Sequence, residues 1–244
     1  MTMKVHQSCA APNLVIRVGN SLHCVRRWFY AIPLVILIAN APHLDYLSFG
    51  GFGDGTVRAT AMAIVLSGLL LRFWTSGSTA RTVTKKDGVH FRFCDSGIYS
   101  VLRNPYFTAD FLIVLGLSML LMLPPLILIS LGTFLALSLP ILWARESALH
   151  MLYPEAYEEY RAKVGNVFPS FVRFKSSGTR FRWRAAMEKE GNILGAAGLL
   201  VIFMEQFRRV TLSGDMNPLW AVAALAFLFF CLVLGAFDRT ELAD

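Results

Sequence analysis

Charge is what this chain has least of. Only 16% of its 244 residues are Asp, Glu, Lys or Arg, whereas 55% are hydrophobic and the mean hydropathy is +0.53. Soluble domains carry roughly 25% charged residues, so the composition excludes that class and indicates an integral membrane protein. Cysteine is sparse as well. Cys9, Cys24, Cys94 and Cys231 stand apart without a CxxC, and the five histidines are dispersed, so neither a zinc site nor a disulfide framework is expected and the metal complement is none. The chain has no Gly-x-Gly-x-x-Gly, no P-loop, no serine nucleophile elbow, no internal repeat and no low-complexity stretch. It also lacks a base-stacking or groove-reading module. The net charge of +7 and the pI near 9.5 therefore read as membrane topology and attraction to anionic headgroups, not as nucleic-acid binding.

What is present is apolar sequence in helix-spanning lengths, which favours an all-α bundle over the alternating ten-residue strands of an outer-membrane barrel. About six transmembrane helices are expected, at Trp28–Phe49, Val57–Trp74, Phe107–Leu123, Leu126–Trp143, Asn192–Phe207 and Leu219–Phe237. The first begins too far from Met1, and lacks the small-residue cleavage site, for a removed leader. Pro124-Pro125 is expected to form a tight turn, making residues 107–143 a helical hairpin, because proline cannot supply the amide that continues a helix. Domain organisation follows: N-terminal spans over 1–75, a polar-motif core over 76–175 and C-terminal spans over 176–244. Lys and Arg cluster before the first span, in the loop before the hairpin and again after it. Six spans put all three clusters on one side, which the positive-inside rule makes cytoplasmic, with Arg58, Arg208 and Arg209 a minority opposite.

Two polar stretches flank the hairpin. In the first, Gly97-Ile98-Tyr99-Ser100-Val101-Leu102-Arg103-Asn104-Pro105-Tyr106, Pro105 removes an amide and biases Asn104 away from helical dihedrals, so the chain bends at the membrane surface. A lone interfacial Arg103 would be a snorkelling anchor. Followed by Asn-Pro-Tyr, it adds to a set of freed amides and an Asn104 side chain that could hold an anionic or adenine-bearing ligand. In the second stretch, Glu146 lies one helical turn from His150, on a face shared with Leu149 and Tyr153. Pro154 then starts an amphipathic helix, with Tyr157, Tyr160 and Val164 as one stripe and Glu158, Glu159, Arg161 and Lys163 on the wet side.

Gly97-x-Tyr99-x-x-x-Arg103-Asn104-Pro105, a hydrophobic hairpin, then Glu146-x-x-Leu149 with Tyr157-x-x-Tyr160 and Pro169 resembles the isoprenylcysteine carboxyl methyltransferase and phospholipid methyltransferase superfamily. The polar stretch Ser76–Arg81 and Phe181-Arg182-Trp183-Arg184 resemble its bacterial branch, which includes lipid A phosphate methyltransferases. The resemblance covers roughly Leu71–Phe207. It implies transfer of a methyl group from S-adenosylmethionine to a phosphate or carboxylate, or less readily an amine, of a membrane lipid or lipidated acceptor. It also implies an active site on the cytoplasmic face of a bacterial inner membrane. By motif position, Tyr99, Arg103, Asn104, Pro105, Tyr106, Glu146, Tyr157 and Tyr160 would bind the cofactor, with Arg103 and Glu146 catalytic. The departures are Asn104 for the usual His, Arg145 for the first of two usual Glu, Ala109 for Gly and Gly165 for Pro. Two other readings fit parts of the pattern. One is a membrane reductase using NADPH, in which Asp110 supplies an acidic group; the other is a non-enzymatic lipid-binding membrane protein.

Overall fold

The computed structural model describes residues 50–79, 95–120, 122–166, 174–176, 178 and 180–213. Among these every regular element is helical: α1 (Gly50–Thr79), a 3₁₀ turn (Gly97–Ser100), α2 (Pro105–Leu120), α3 (Pro124–Leu152), α4 (Pro154–Lys163) and α5 (Trp183–Ser213). The expected spans at Trp28–Phe49 and Leu219–Phe237 lie outside the described residues.

Among the described residues two helices are long and apolar enough to cross a membrane, Gly53–Ser78 within α1 and Pro124–Leu152, with mean hydropathies of 1.5 and 2.2. The core helix of a soluble protein would bury such segments. Here only 17% and 33% of the apolar windows are buried. Leu66, Leu70, Trp74, Leu128 and Trp143 are exposed instead, a distribution suited to a hydrocarbon solvent. α2 is apolar but shorter, at 16 residues.

Helices of this kind gain little from the hydrophobic effect among themselves and associate through close packing of small residues. α1 and α2 show the device directly. A Cβ on Gly68 would sit 2.8 Å from the Ala109 carbonyl oxygen, and one on Gly116 would sit 2.7 Å from that of Ala61, so the two backbones are in van der Waals contact. Ala61, Val65, Ile113, Leu117 and Leu120 fill the seam, with Leu200, Val201 and Met204 of α5 packed against it. α3 lies along α2 with Phe134 in contact with the rings of Phe107 and Phe111. At the far end of α1, Phe73, Phe181 and Trp183 form an aromatic cluster, and the Arg182 amide donates to the Gly77 carbonyl at 3.2 Å. That cluster ties the start of α5 to the end of α1.

Several boundaries differ from the sequence expectation, each for a local reason. Pro124 and Pro125 do not form the turn between α2 and α3; they occupy the first turn of α3, where the missing amides have no intrahelical partner to lose. The turn falls at Met122, with φ of 53° and its amide bonded to the Met119 carbonyl at 3.0 Å, and at extended Leu123. α3 continues through Pro140 and does not stop at Trp143 but runs to Leu152, because no proline or glycine occurs between Trp143 and Tyr153-Pro154. The second polar motif is thus the last two turns of a long helix. Likewise α5 extends beyond Asn192–Phe207 at both ends, taking the basic stretch from Trp183 into helix.

Candidate functional site

α1 and α5 end and begin where α2 starts and α3 finishes, so the two polar motifs lie at one end of the bundle. The first is anchored through its backbone. Gly97, at φ of 64°, adopts a conformation that glycine takes without strain, and its amide donates to the Lys175 carbonyl at 2.8 Å. Ser100 Oγ donates to the Gly97 carbonyl at 2.7 Å and accepts from the Lys175 amide at 3.0 Å. The Arg103 amide donates to Gly165 at 3.0 Å. Tyr160 Oη donates to the Tyr99 carbonyl at 2.7 Å. The chain in and after α4 therefore holds the Gly97–Asn104 stretch at three backbone groups and the Ser100 hydroxyl, and the whole 3₁₀ turn is buried.

Asn104 precedes α2, and its carbonyl accepts the first helical bond, from Thr108 at 3.1 Å. Its side-chain nitrogen reaches Glu146 Oε1 at 2.8 Å and Asn166 Oδ1 at 2.6 Å. Both partners are acceptors, which fixes the orientation of the amide. Arg103 Nε lies 3.1 Å from the same Glu146 oxygen, an ion pair without hydrogen-bond alignment, and this buried N–H has no hydrogen-bond acceptor. One carboxylate thus receives a cation and an amide from the first motif.

On its other side Glu146 faces an open groove of about 480 Å³ lined by Trp143, Glu146, Ser147, His150, Met151, Tyr157 and Arg161. The floor is aromatic. Tyr157, Tyr160 and Val164 are buried together against Leu149, and the His150 ring meets Tyr157 edge-on at 6.3 Å. Burial raises the Tyr157 phenol above its ordinary pKa, and the neighbouring Glu146 carboxylate adds to the rise, against the opposing pull of Arg103, Arg161 and Arg145. The phenol is therefore a neutral hydroxyl at physiological pH. At the mouth, Glu158 pairs with His150 at 2.9 Å and Arg161 at 3.7 Å, so it is joined to two lining residues.

Of the residues marked in the sequence, Arg103, Asn104 and Glu146 touch one another, and Glu146 and Tyr157 line the groove. Tyr99 and Tyr160 are joined behind it, and Pro105 is buried as the first residue of α2. Tyr106 is elsewhere. Its hydroxyl meets Ser76 Oγ at 2.9 Å and Lys189 Nζ at 2.8 Å, and its ring lies beneath Arg72 and Lys189, at 5.3 and 4.8 Å. It belongs to a buried ionic network in which Arg72 binds both Asp110 and Glu190, and Ser76 donates to Glu190.

Sequence reasoning missed Asn166, Arg72 and Glu190. Glu190 shares the helical phase of Ala186 and Ala197, four and seven residues away and both buried, and that phase would have marked it as inward-facing. Asn166 carries no comparable signal.

Comparison of the chain with protein-family models, with curated proteins and with solved structures returns no match.

Proposed function

We propose that this is an integral membrane protein of about six spans that transfers a methyl group from S-adenosylmethionine to an anionic group of a lipid or lipidated acceptor. The observation that carries the reading is the convergence of Arg103 and Asn104 from one motif and Glu146 from the other beside a groove of about 480 Å³. That volume falls within the range of small-molecule sites, roughly 300–1,000 Å³.

The residues suit the cofactor. Its sulfonium is a cation, and the groove presents the Glu146 carboxylate together with the faces of Trp143 and Tyr157, groups that attract cations electrostatically. When bound, S-adenosylmethionine supplies an electrophilic methyl group. Everything else falls to the chain. Asn104 and Arg103 fix the carboxylate of Glu146, and the Arg103 guanidinium and Arg161 at the groove add positive charge that favours an anionic acceptor. A phosphate or carboxylate acceptor is already anionic, so no general base is needed, and alignment with exclusion of water is the main requirement. Trp143, Met151, Leu152 and Tyr153 are exposed around the end of α3, an apolar rim suited to an acceptor that resides in the bilayer.

The basic residues of the motif end, among them Arg161, Lys163, Lys175, Arg182 and Arg184, favour a cytoplasmic placement at a bacterial inner membrane. The reductase reading is weakened because Asp110 is bound to Arg72 and does not face the groove. Titration of purified protein with S-adenosylmethionine and, separately, NADPH tests the proposal. Saturable binding of the former alone is expected, weakened in Arg103→Ala and Asn104→Ala when measured well below each variant's unfolding midpoint. Binding of NADPH alone would favour the reductase, and binding of neither a lipid-binding role.

A further inference from the structure

The minority arginines gather at the other end of the bundle. Arg58 of α1 donates through Nη1 to Glu205 Oε1 at 2.8 Å, Arg209 donates through Nε to the same oxygen at 3.2 Å, and Arg208 Nη2 lies 3.5 Å from it. Three guanidinium groups share one oxygen. The side chains of Glu205 and Arg208 are only 3% and 11% exposed.

Arg208 is the anomaly. Its contact with Glu205 is an ion pair at a distance and alignment too poor for a hydrogen bond, and its Nε is buried with no acceptor. A guanidinium carries five donors and does not deprotonate in a protein, so it cannot escape burial by becoming neutral. Glu205 Oε2 is also buried without a hydrogen-bond partner. Burying such a cation without hydrogen bonds costs several kcal/mol, so the arrangement calls for an acceptor of negative charge and several oxygens.

Depth indicates what that acceptor is. Arg58 lies five residues inside the apolar segment Gly53–Ser78, which at 1.5 Å per residue is about 8 Å from its end. The 26-residue segment is about 39 Å long against a hydrocarbon core of about 30 Å, so Arg58 lies just inside the hydrocarbon boundary, where an arginine side chain snorkels outward to the phosphates. A guanidinium binds a phosphate through two parallel hydrogen bonds, a match that the compact ammonium of lysine lacks. We propose that Arg208 and Arg58, which meet at Glu205, bind a phosphate oxyanion, the headgroup of an anionic phospholipid in the leaflet away from both motifs. The site is separate from the groove and independent of methyl transfer.

The test uses full-length protein purified in detergent and stripped of lipid. Native mass spectrometry would measure retention of phosphatidylglycerol, phosphatidylcholine and inorganic phosphate, with the unfolding midpoint followed in parallel. Wild type is expected to retain phosphatidylglycerol in preference to phosphatidylcholine. Loss of the two-pronged contact in Arg208→Lys should weaken retention about tenfold, with Arg58→Lys, which keeps a cation beside Glu205, weakening it at a lipid-free midpoint close to that of wild type. Arg184→Gln removes one charge at an exposed position of the motif end and should have no effect. The inorganic phosphate arm separates the two sources of the same chemistry. Phosphatidylglycerol held against millimolar phosphate assigns a lipid headgroup, whereas displacement by phosphate assigns a soluble ion and overturns the lipid. Retention unchanged in both Arg208→Lys and Arg58→Lys, or lowered equally by Arg184→Gln, overturns the site itself.

Discussion

Replacing Arg72 with Met should be the most damaging single change in the described bundle. Arg72 of α1 is bound to Asp110 of α2 and Glu190 of α5, and Ser76 donates to the same Glu190 carboxylate. Glu190 is 0% exposed and Arg72 side-chain exposure is 12%, so neither is relieved by water. Arg72→Met leaves two buried carboxylates with no cation between them. Removing one partner of a buried ion pair costs about 3–5 kcal/mol, because the remaining charge stays desolvated. At about 2–4 °C per kcal/mol for a chain of this size, the unfolding midpoint should fall by about 6–20 °C. Asp110 is 24% exposed and can recover some hydration, so the lower half of that range is expected. The triple variant Arg72→Met, Asp110→Leu, Glu190→Met removes every charge and should regain most of the loss, since apolar replacement of a whole buried network is often neutral. The assay is thermal unfolding in detergent followed by circular dichroism. A shift below about 3 °C for Arg72→Met, or a triple variant less stable than the single one, would refute the reasoning.

Gly116→Ala should destabilise by about 1–2 kcal/mol, because the new Cβ would meet the Ala61 carbonyl and Val65 amide and overpacking outweighs a helix-propensity gain of about 1 kcal/mol. Gly132→Ala on α3, with nothing within 4 Å, should instead stabilise by roughly 0.5–1 kcal/mol; equal effects in a chemical-denaturation series would contradict the close α1–α2 approach. For Tyr157 the folded chain holds the phenolic proton more tightly than the unfolded chain does, so stability should decline as pH rises above about 10 and through the raised folded value. Tyr157→Phe should flatten that alkaline limb of the stability–pH profile, and an unchanged limb would show that the phenol is not buried as described.

Much of the architecture near the site is legible in local chemistry. Pro105 and Pro154 both stand at the first position of a helix, and the stripe of Tyr157, Tyr160 and Val164 is buried as its spacing implies. What escaped depends on the fold bringing distant residues together. Glu190 reads in sequence as one more charge in Glu188-Lys189-Glu190, yet helical phase turns Glu188 outward to Arg184 and Glu190 inward to Arg72, 118 residues away. Tyr106 shares the first motif with Asn104 but, two residues on in a helix, points to another helix face. Pro124-Pro125 misled for a different reason: proline both ends helices and begins them, and only the neighbouring Met122 and Leu123 dihedrals decide which.

Methyl transfer itself is the most direct test of the central claim. Membranes containing the protein, supplied with S-adenosylmethionine labelled in its methyl group, should accumulate label in the lipid or lipidated fraction. Glu146→Gln, which alters the carboxylate that Arg103 and Asn104 converge on, should reduce that incorporation strongly. Glu158→Gln affects only exposed pairs worth about 0–1 kcal/mol and should leave it within roughly fivefold. Label that never enters a lipid species, or equal losses in the two variants, would contradict the account.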